Sequence, residues 1–441
     1  MASTVPISNT NIVTLIGLQA DFETVATTAF QIAYEQNTLV RNQSLEKNTE
    51  LRGNRQPGTK VPGQQSPGGT ILGHQTDQLL PMSWYAALGS IVSTQVTGAA
   101  PTAVPSLVAG LVDVGNHFYK IVVTRPNGTM ASAASAVAVA DGTHGKITVT
   151  NTIPMASGWT WAIYRTVADD LVSDPYLLIP ATATLAYNVT SYLDNTADAA
   201  LLGAYPAITN NDWSHVIKTG DTLPALSIER KLPYVSDAAE YYVALGCVVN
   251  KATVKITGTG YYDIGLDYLF GTLDGPNAAS MDAAPTDWRS GEKIHHAMAL
   301  AAKVKVDGSA FAKFQDLTIT HSNNLDTSDY PVGGGGTRGS LVPLQAETAV
   351  SGTLKVTDPE SISFVQDTTV THTLEIQHDF ATPGHYIKHQ LYGIQFDPTD
   401  PAPSGQGILK FTANGSASQP TGGEQIIVTI VNDQPDTTYQ P

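Results

Sequence analysis

The strongest constraint on this chain is an all-β segment set between two stretches that look incomplete alone. From about Ala99 to Pro206, the runs HFYKIVVTR, SAVAVA, GKITVTN, WTWAIYRT, PYLLIP and LAYNVTSYLD are separated by the turn sequences RPNG, DGTHG, PMASG and ADDLVSDP. Short alternating runs spaced roughly 8–12 residues apart are the pattern of an all-β sandwich. Gly98-Ala99-Ala100-Pro101 leads in and Gly203-Ala204-Tyr205-Pro206 leads out. A domain insertion is tolerated where both ends meet at an exposed loop. The sequence therefore predicts one discontinuous outer domain, 1–98 with 208–441, interrupted by a β-sandwich over 99–207.

Within WTWAIYRT, period-2 alternation puts Trp159, Trp161, Ile163 and Arg165 on one face and Ala162 and Tyr164 on the other. Trp159, Trp161, Tyr164, Tyr176, Tyr187 and Tyr192 are read as core, with a sugar-stacking platform as the alternative.

Charge bounds the partners. Only 14% of the 441 residues are charged, and the net charge is −16. Residues 1–98 carry 5 basic and 6 acidic side chains, 99–207 carry 4 and 7, and 208–441 carry 14 and 26, giving −1, −3 and −12. A duplex-binding protein needs a basic patch, and none is visible. The acid excess fits either simple solubility or a surface that lies near nucleic acid without adhering to it. The single Cys247, in VALGCVVN, excludes an internal disulfide and a multi-cysteine metal site and reads as a small buried hydrophobe. MASTVPISNTN has neither a basic nor an apolar leader region, and no run approaches 18 apolar residues, so neither a secretory signal nor a membrane-spanning helix is expected.

FETVATTAFQIAYEQN is compatible with a short helix or a strand. Residues 41–75 are rich in Gly, Pro and Gln with almost no apolar period, the texture of an extended arm or of a disordered loop. Arg41, Glu46, Lys47, Glu50, Arg52 and Arg55 alternate in sign along it, as ionic contacts with a neighbouring subunit require. One principal helix is expected over 77–89, with Leu79, Leu80, Trp84 and Leu88 as its apolar stripe, Thr76 or Asp77 as N-cap, Pro81 in the first turn and Gly89 as the stop. Beyond the insert, LSIERKLP, ATVKITGTGYYDIGLDYLFGT, QDLTITH, GTLKVTD, VTHTLEIQ, HYIKHQLYGIQF, GILKFTA and EQIIVTIV all alternate as strands, and GGGGTRG at 333–339 is a flexible break.

Four stretches resemble the tail tube (major tail) proteins of long-tailed, siphovirus-like bacteriophages. The arm RNQSLEKNTELRGNRQPGTKVPG runs into the helix TDQLLPMSWYAALGS. LPALSIERKLP is similar to the family's Leu-Pro-Ser-Leu-Thr-Ile-Glu strand, with Ala225 in place of Ser. YYVALGCVVNKATVKITGTG follows with Gly246, Val249 and Asn250 in the family's pattern and Cys247 where Lys is common. EQIIVTIVN resembles the family's closing strand. In the insert, HFYKIVVTR and WAIYRT resemble fibronectin-type-III or immunoglobulin-like modules appended to viral tail proteins.

The resemblance implies a mainly β fold: a tail-tube sandwich or barrel with one helix and a long arm, plus an inserted immunoglobulin-like sandwich. It also implies self-association into rings, hexameric or trimeric with pseudo-hexameric symmetry, that stack into a hollow tube. Such a tube meets tape-measure, terminator and distal tail proteins and passes double-stranded DNA without specific binding. It is a virion component assembled in the host cytoplasm. Closing open sheets into a ring removes their unpaired edges. Glu229, Asp263, Asp267, Glu360, Asp367, Glu375 and Asp379 are the candidate lumen-facing carboxylates. The insert points outward on this reading, as a weak adhesin for surface glycans or as padding.

Catalytic constellations are not apparent. His385 and His389 on a strand stand about 13 Å apart, too far for one ion, and the pair His295-His296 lies in no H-E-x-x-H motif. GGGGTRGS lacks the Lys-Ser/Thr of a phosphate loop, and no G-x-S-x-G is present. No enzyme activity, metal or cofactor is expected. A baseplate or distal tail ring protein is the nearest alternative, followed by a cell-surface adhesin and then by a glycan hydrolase with an accessory sandwich.

Overall fold

Eighteen residues, Glu240–Thr257, form one strand that serves two sheets. Its first part pairs with Leu226–Leu232 and Thr272–Asn277. Its second part pairs with Asp263–Leu269 and Phe314–Ser322. The change of partners falls around Gly246, which sits at φ +65° with the Phe22 ring packed where a Cβ would stand. Glycine alone enters that conformation freely and leaves room for the ring.

The computed structural model describes residues 12–47, 60–125, 128–206, 212–234, 238–296, 303–332, 336–367, 369–400 and 408–439; it is mainly β, with two α-helices of eight or more residues among the described residues. It divides into a larger unit of Met1–Ser93, Ser214–Asn432 and Asp436–Pro441, and a smaller unit of Thr94–Trp213 with Asp433–Pro435.

In the larger unit a wide antiparallel sheet runs Gly68–His74, Asp263–Leu269, Glu240–Thr257, Phe314–Ser322, Glu347–Lys355, Lys410–Ala417. A second sheet runs Val304–Val306, His372–Asp379, Tyr386–Phe396, Ile426–Asn432. Alternate residues of both point into one core, with Val254, Ile264, Ile319 and Val350 from the first meeting Ile376, Ile387, Leu391 and Val428 from the second. Burial of each such aliphatic side chain contributes on the order of 2 kcal/mol. The ambiguous stretch after residue 22 is strand, Phe30–Ile32 and Gln36–Asn37.

The principal helix is Leu80–Leu88, and Gly89 ends it at φ 92°, its N–H donating to the Tyr85 carbonyl. Two expectations about it are corrected. Thr76 and Asp77 do not cap it: Thr76 Oγ1 donates to the Trp288 carbonyl (3.1 Å) and Asp77 Oδ1 accepts from the Glu292 N–H (2.9 Å). Both side chains are committed to the loop crossing the helix start. Nor is there a single apolar stripe, since every side chain but Tyr85 is buried; a helix apolar on all sides is one enclosed by the fold. A second helix, Pro359–Gln366, was not anticipated. Asp358 accepts from the Ser361 N–H while Ser361 bonds back, a capping box with Pro at the first turn.

In the smaller unit, Tyr119–Arg125 pairs with Thr160–Arg165 and Gly128–Ala131, while Lys146–Thr150 pairs with Thr102–Ser106 and Ser191–Asp194. The two sheets share a core of Tyr119, Ile121, Val123, Trp161 and Ile163 against Ile147 and Val149. Trp159, Tyr164 and Tyr176 are also buried, and Tyr187 is exposed. The chain enters and leaves this unit side by side: Val96 N–H donates to the Asp212 carbonyl at 2.9 Å, and the Asp212 carboxylate pairs with buried Arg125.

Candidate assembly surfaces

Alternation fixes what the wide sheet shows outward. Register sets Asp267 beside Lys251 and Asp263 beside Lys255 on the outward face. Asp267 also accepts from Thr70 Oγ1 (2.5 Å), and Asp263 hydrogen-bonds His74. Across the middle of the sheet the same face carries short polar side chains, Thr253 beside Thr320 and Thr318 beside Ser351, with Ser351 Oγ donating to Asn414 Oδ1 at 2.8 Å. Glu347 and Asp316 stand on this face with Lys355 and Lys410. Its strand carboxylates and amines are therefore matched in number among the described residues.

The second sheet's outward face carries Glu375 and Asp379. Glu375 is 3.0 Å from Lys305 Nζ, which holds its carboxyl below the usual range against partial burial. Asp379 is 3.2 Å from Lys303 Nζ. Since the two sheets pack inner face to inner face, Asp263 and Asp267 emerge on the opposite side from Glu375 and Asp379, and one channel cannot receive both pairs.

The remaining carboxylates scatter further. Glu229 is fully buried, accepting from Ser280 Oγ (2.8 Å) and the Met281 N–H (2.6 Å), and burial pushes its pKa up. It clamps a loop of its own subunit and is removed from the lumen set. Asp367 caps the end of Pro359–Gln366 and accepts from Thr369. Glu360 lies on that helix, its side chain outside the described residues. Glu229, the pair Asp263 and Asp267, and the pair Glu375 and Asp379 thus share no surface; period-2 alternation assigns a face only once the partner sheet is known.

Gln43–Lys47 and Lys60–Gln65 form an antiparallel hairpin that exposes Leu45 and Val61. Arg41 donates to the Leu273 carbonyl of its own subunit, and Glu46 is exposed on the hairpin. Glu50, Arg52, Arg55 and the Lys47 side chain lie outside the described residues. Gly68–His74, expected within the arm, is a full strand of the wide sheet: Ile71 is buried in the main core, and the strand's two outward polar residues, Thr70 and His74, disguise it.

Histidines form the least expected cluster. His296, His378 and His389 surround Tyr262 in the core; His296 Nδ1 and His378 Nε2 are 3.3 Å apart, and Tyr262 Oη is 3.0 Å from His389 Nε2. Trp84 Nε1 donates to Tyr262 Oη at 3.3 Å, tying the helix in. Burial disfavours the imidazolium, so His296 and His378 are lowered, His389 falls to about 3, and His321, elsewhere in the wide sheet, to about 4. Cys247 is fully buried with its thiol pushed up, as a structural hydrophobe should be.

Among the described residues no helix is long and apolar enough to cross a membrane. No curated protein matches the sequence. A family model described as phage tail tube protein matches residues 10–429, nearly the whole chain. With that extent of match on a mainly β chain, the protein belongs to the phage tail tube protein family and is a structural component of the virion tail.

Proposed function

We propose that copies of this chain close into rings that stack as a hollow tube, with the outward face of the wide sheet lining the lumen. The observation that carries the reading is the family match across residues 10–429. The chemistry of that face supports it. Short hydroxyls and paired charges offer phosphates no continuous cationic track, so a duplex slides without the counterion release that would hold it. The arm is the inter-ring contact: residues 41–60 carry Arg41, Lys47, Arg52, Arg55 and Lys60 against Glu46 and Glu50, opposite in sign to the acidic 208–441. The smaller unit is the inserted domain and points away from the lumen, as padding or a weak glycan adhesin. The ends of the tube meet the tape-measure, terminator and distal tail proteins.

Electron microscopy of concentrated purified protein tests this directly, with rings or tubes expected. In a second sample, residues 44–64 are replaced by a short Gly-Ser linker, sparing the strand Gly68–His74. This variant should give folded subunits without tubes. Tubes from the shortened chain would remove the arm from the contact, and full-length protein that stays monomeric would end the proposal.

A further inference from the structure

Glu35, His74 and Asp263 are far apart in sequence, yet the margin of the wide sheet brings them to one point. Asp263 lies directly across from His74 in the ladder, and the Glu35 N–H donates to the Leu72 carbonyl two residues before His74. His74 Nε2 is 2.9 Å from Glu35 Oε1, and His74 Nδ1 contacts Asp263 Oδ1. One donor atom from each of the three lies within 4.8 Å of the others. The Tyr261 ring sits 4.8 Å from the His74 ring and 5.2 Å from that of His295. The backbone beneath is anchored, since Ile71 and Ile264 on the same two strands are buried in the main core.

We propose that Glu35, His74 and Asp263 form a binding site for a divalent transition-metal ion, zinc being the best match. Glu35 faces Nε2 and Asp263 faces Nδ1 of the His74 ring. One ion takes a single imidazole nitrogen, so binding needs one carboxylate to swing to the other's side of the ring. The imidazole and two carboxylates then supply one nitrogen and two oxygens, the mixed donor set that zinc accepts in three-ligand sites with a fourth position open. Calcium and magnesium favour all-oxygen shells of six or more ligands and fit this set poorly. Two carboxylate charges held this close are balanced by a doubly charged ion. Bound there, the metal ties the strand Asp263–Leu269 and the strand Gly68–His74 to the segment before Gln36–Asn37, and it stabilises the folded state by mass action.

The test uses the full chain, purified without a polyhistidine tag and stripped with chelator, then titrated with Co²⁺ alone and with Zn²⁺ alone. One Co²⁺ per chain should give a visible absorption band that Zn²⁺ displaces. His74→Ala and Asp263→Asn should each weaken binding by at least about tenfold, a loss that even an outer-shell partner's removal can cause. Glu35→Gln, at a half-exposed side chain, should weaken it without disturbing the fold. His144→Ala, at the exposed Asp141–His144 turn of the smaller unit, should leave the band unchanged. No saturable band, or one that survives His74→Ala or Glu35→Gln, overturns the site and leaves His74 as a hydrogen-bonded link between two carboxylates.

Discussion

One buried polar cluster from each unit shows two opposite ways of enclosing polar groups. In the smaller unit Arg165 is fully enclosed, its guanidinium donating to Asp194 (2.8 Å), Asp198 (2.6 Å) and the Thr196 carbonyl (2.9 Å), while Tyr119 Oη donates to Asp194 at 2.9 Å. The larger unit instead encloses imidazoles, His296, His378, His389 and His321, without a carboxylate among the hydrogen-bond partners described for them. A buried ion pair is costly to break, because removing one partner strands the other's charge. A buried neutral histidine costs little until a proton is offered, and then the fold must refuse it. Packing around Arg165 thus depends on charge being present, and packing around His378 and His389 on charge being absent.

The sharpest way to break the comparison is Arg165→Met. It leaves Asp194 buried without its cation and should cost about 3–5 kcal/mol, read as faster hydrogen exchange through Thr160–Arg165 and Ser191–Asp194. A loss below about 1 kcal/mol would mean that the network is no stronger than a surface pair.

Acid should discriminate next. Each lowered histidine takes up its proton only on unfolding, so its contribution is complete above an unfolded pKa of about 6.5. That contribution drains as pH falls, at up to about 1.4 kcal/mol per pH unit per histidine. The window runs down to about 4 for His321 and about 3 for His389. His389→Met should flatten the slope of the larger unit's unfolding free energy between about pH 6.5 and 4 by one proton's worth. An unchanged slope would show that His389 is already protonated in the fold.

The smallest effect probes a buried carboxylate of the larger unit, Glu229. Glu229→Gln keeps the shape but replaces one acceptor oxygen by a donor facing Ser280 Oγ or the Met281 N–H, for a loss of about 1 kcal/mol. Exchange at the Met281 amide reports it, and no change there would mean that the loop is held by other contacts.

How much was legible varies by residue. Gly89 as a helix stop, Cys247 as a buried hydrophobe and the strand runs after residue 225 could be read directly, because backbone preference and period-2 patterning act over a few residues. The helix Pro359–Gln366 had a readable signal in Asp358-Pro359 and Ser361, which the surrounding strand runs concealed. Nothing local marks Glu229 as enclosed. It sits in an alternating strand like Asp263, and only the loop carrying Ser280 and Met281 separates their fates.

The sequence alone determined a mainly β chain, the interruption between residues 99 and 207 as an expectation, and the family, because these rest on patterns repeated along the chain. Tertiary structure decided which side of each strand meets water, where carboxylates find amines, and that residues 35, 74 and 263 converge. The reason is geometric: alternation sorts side chains into two faces, and only the pairing of distant strands says which face is outside and what stands next to it.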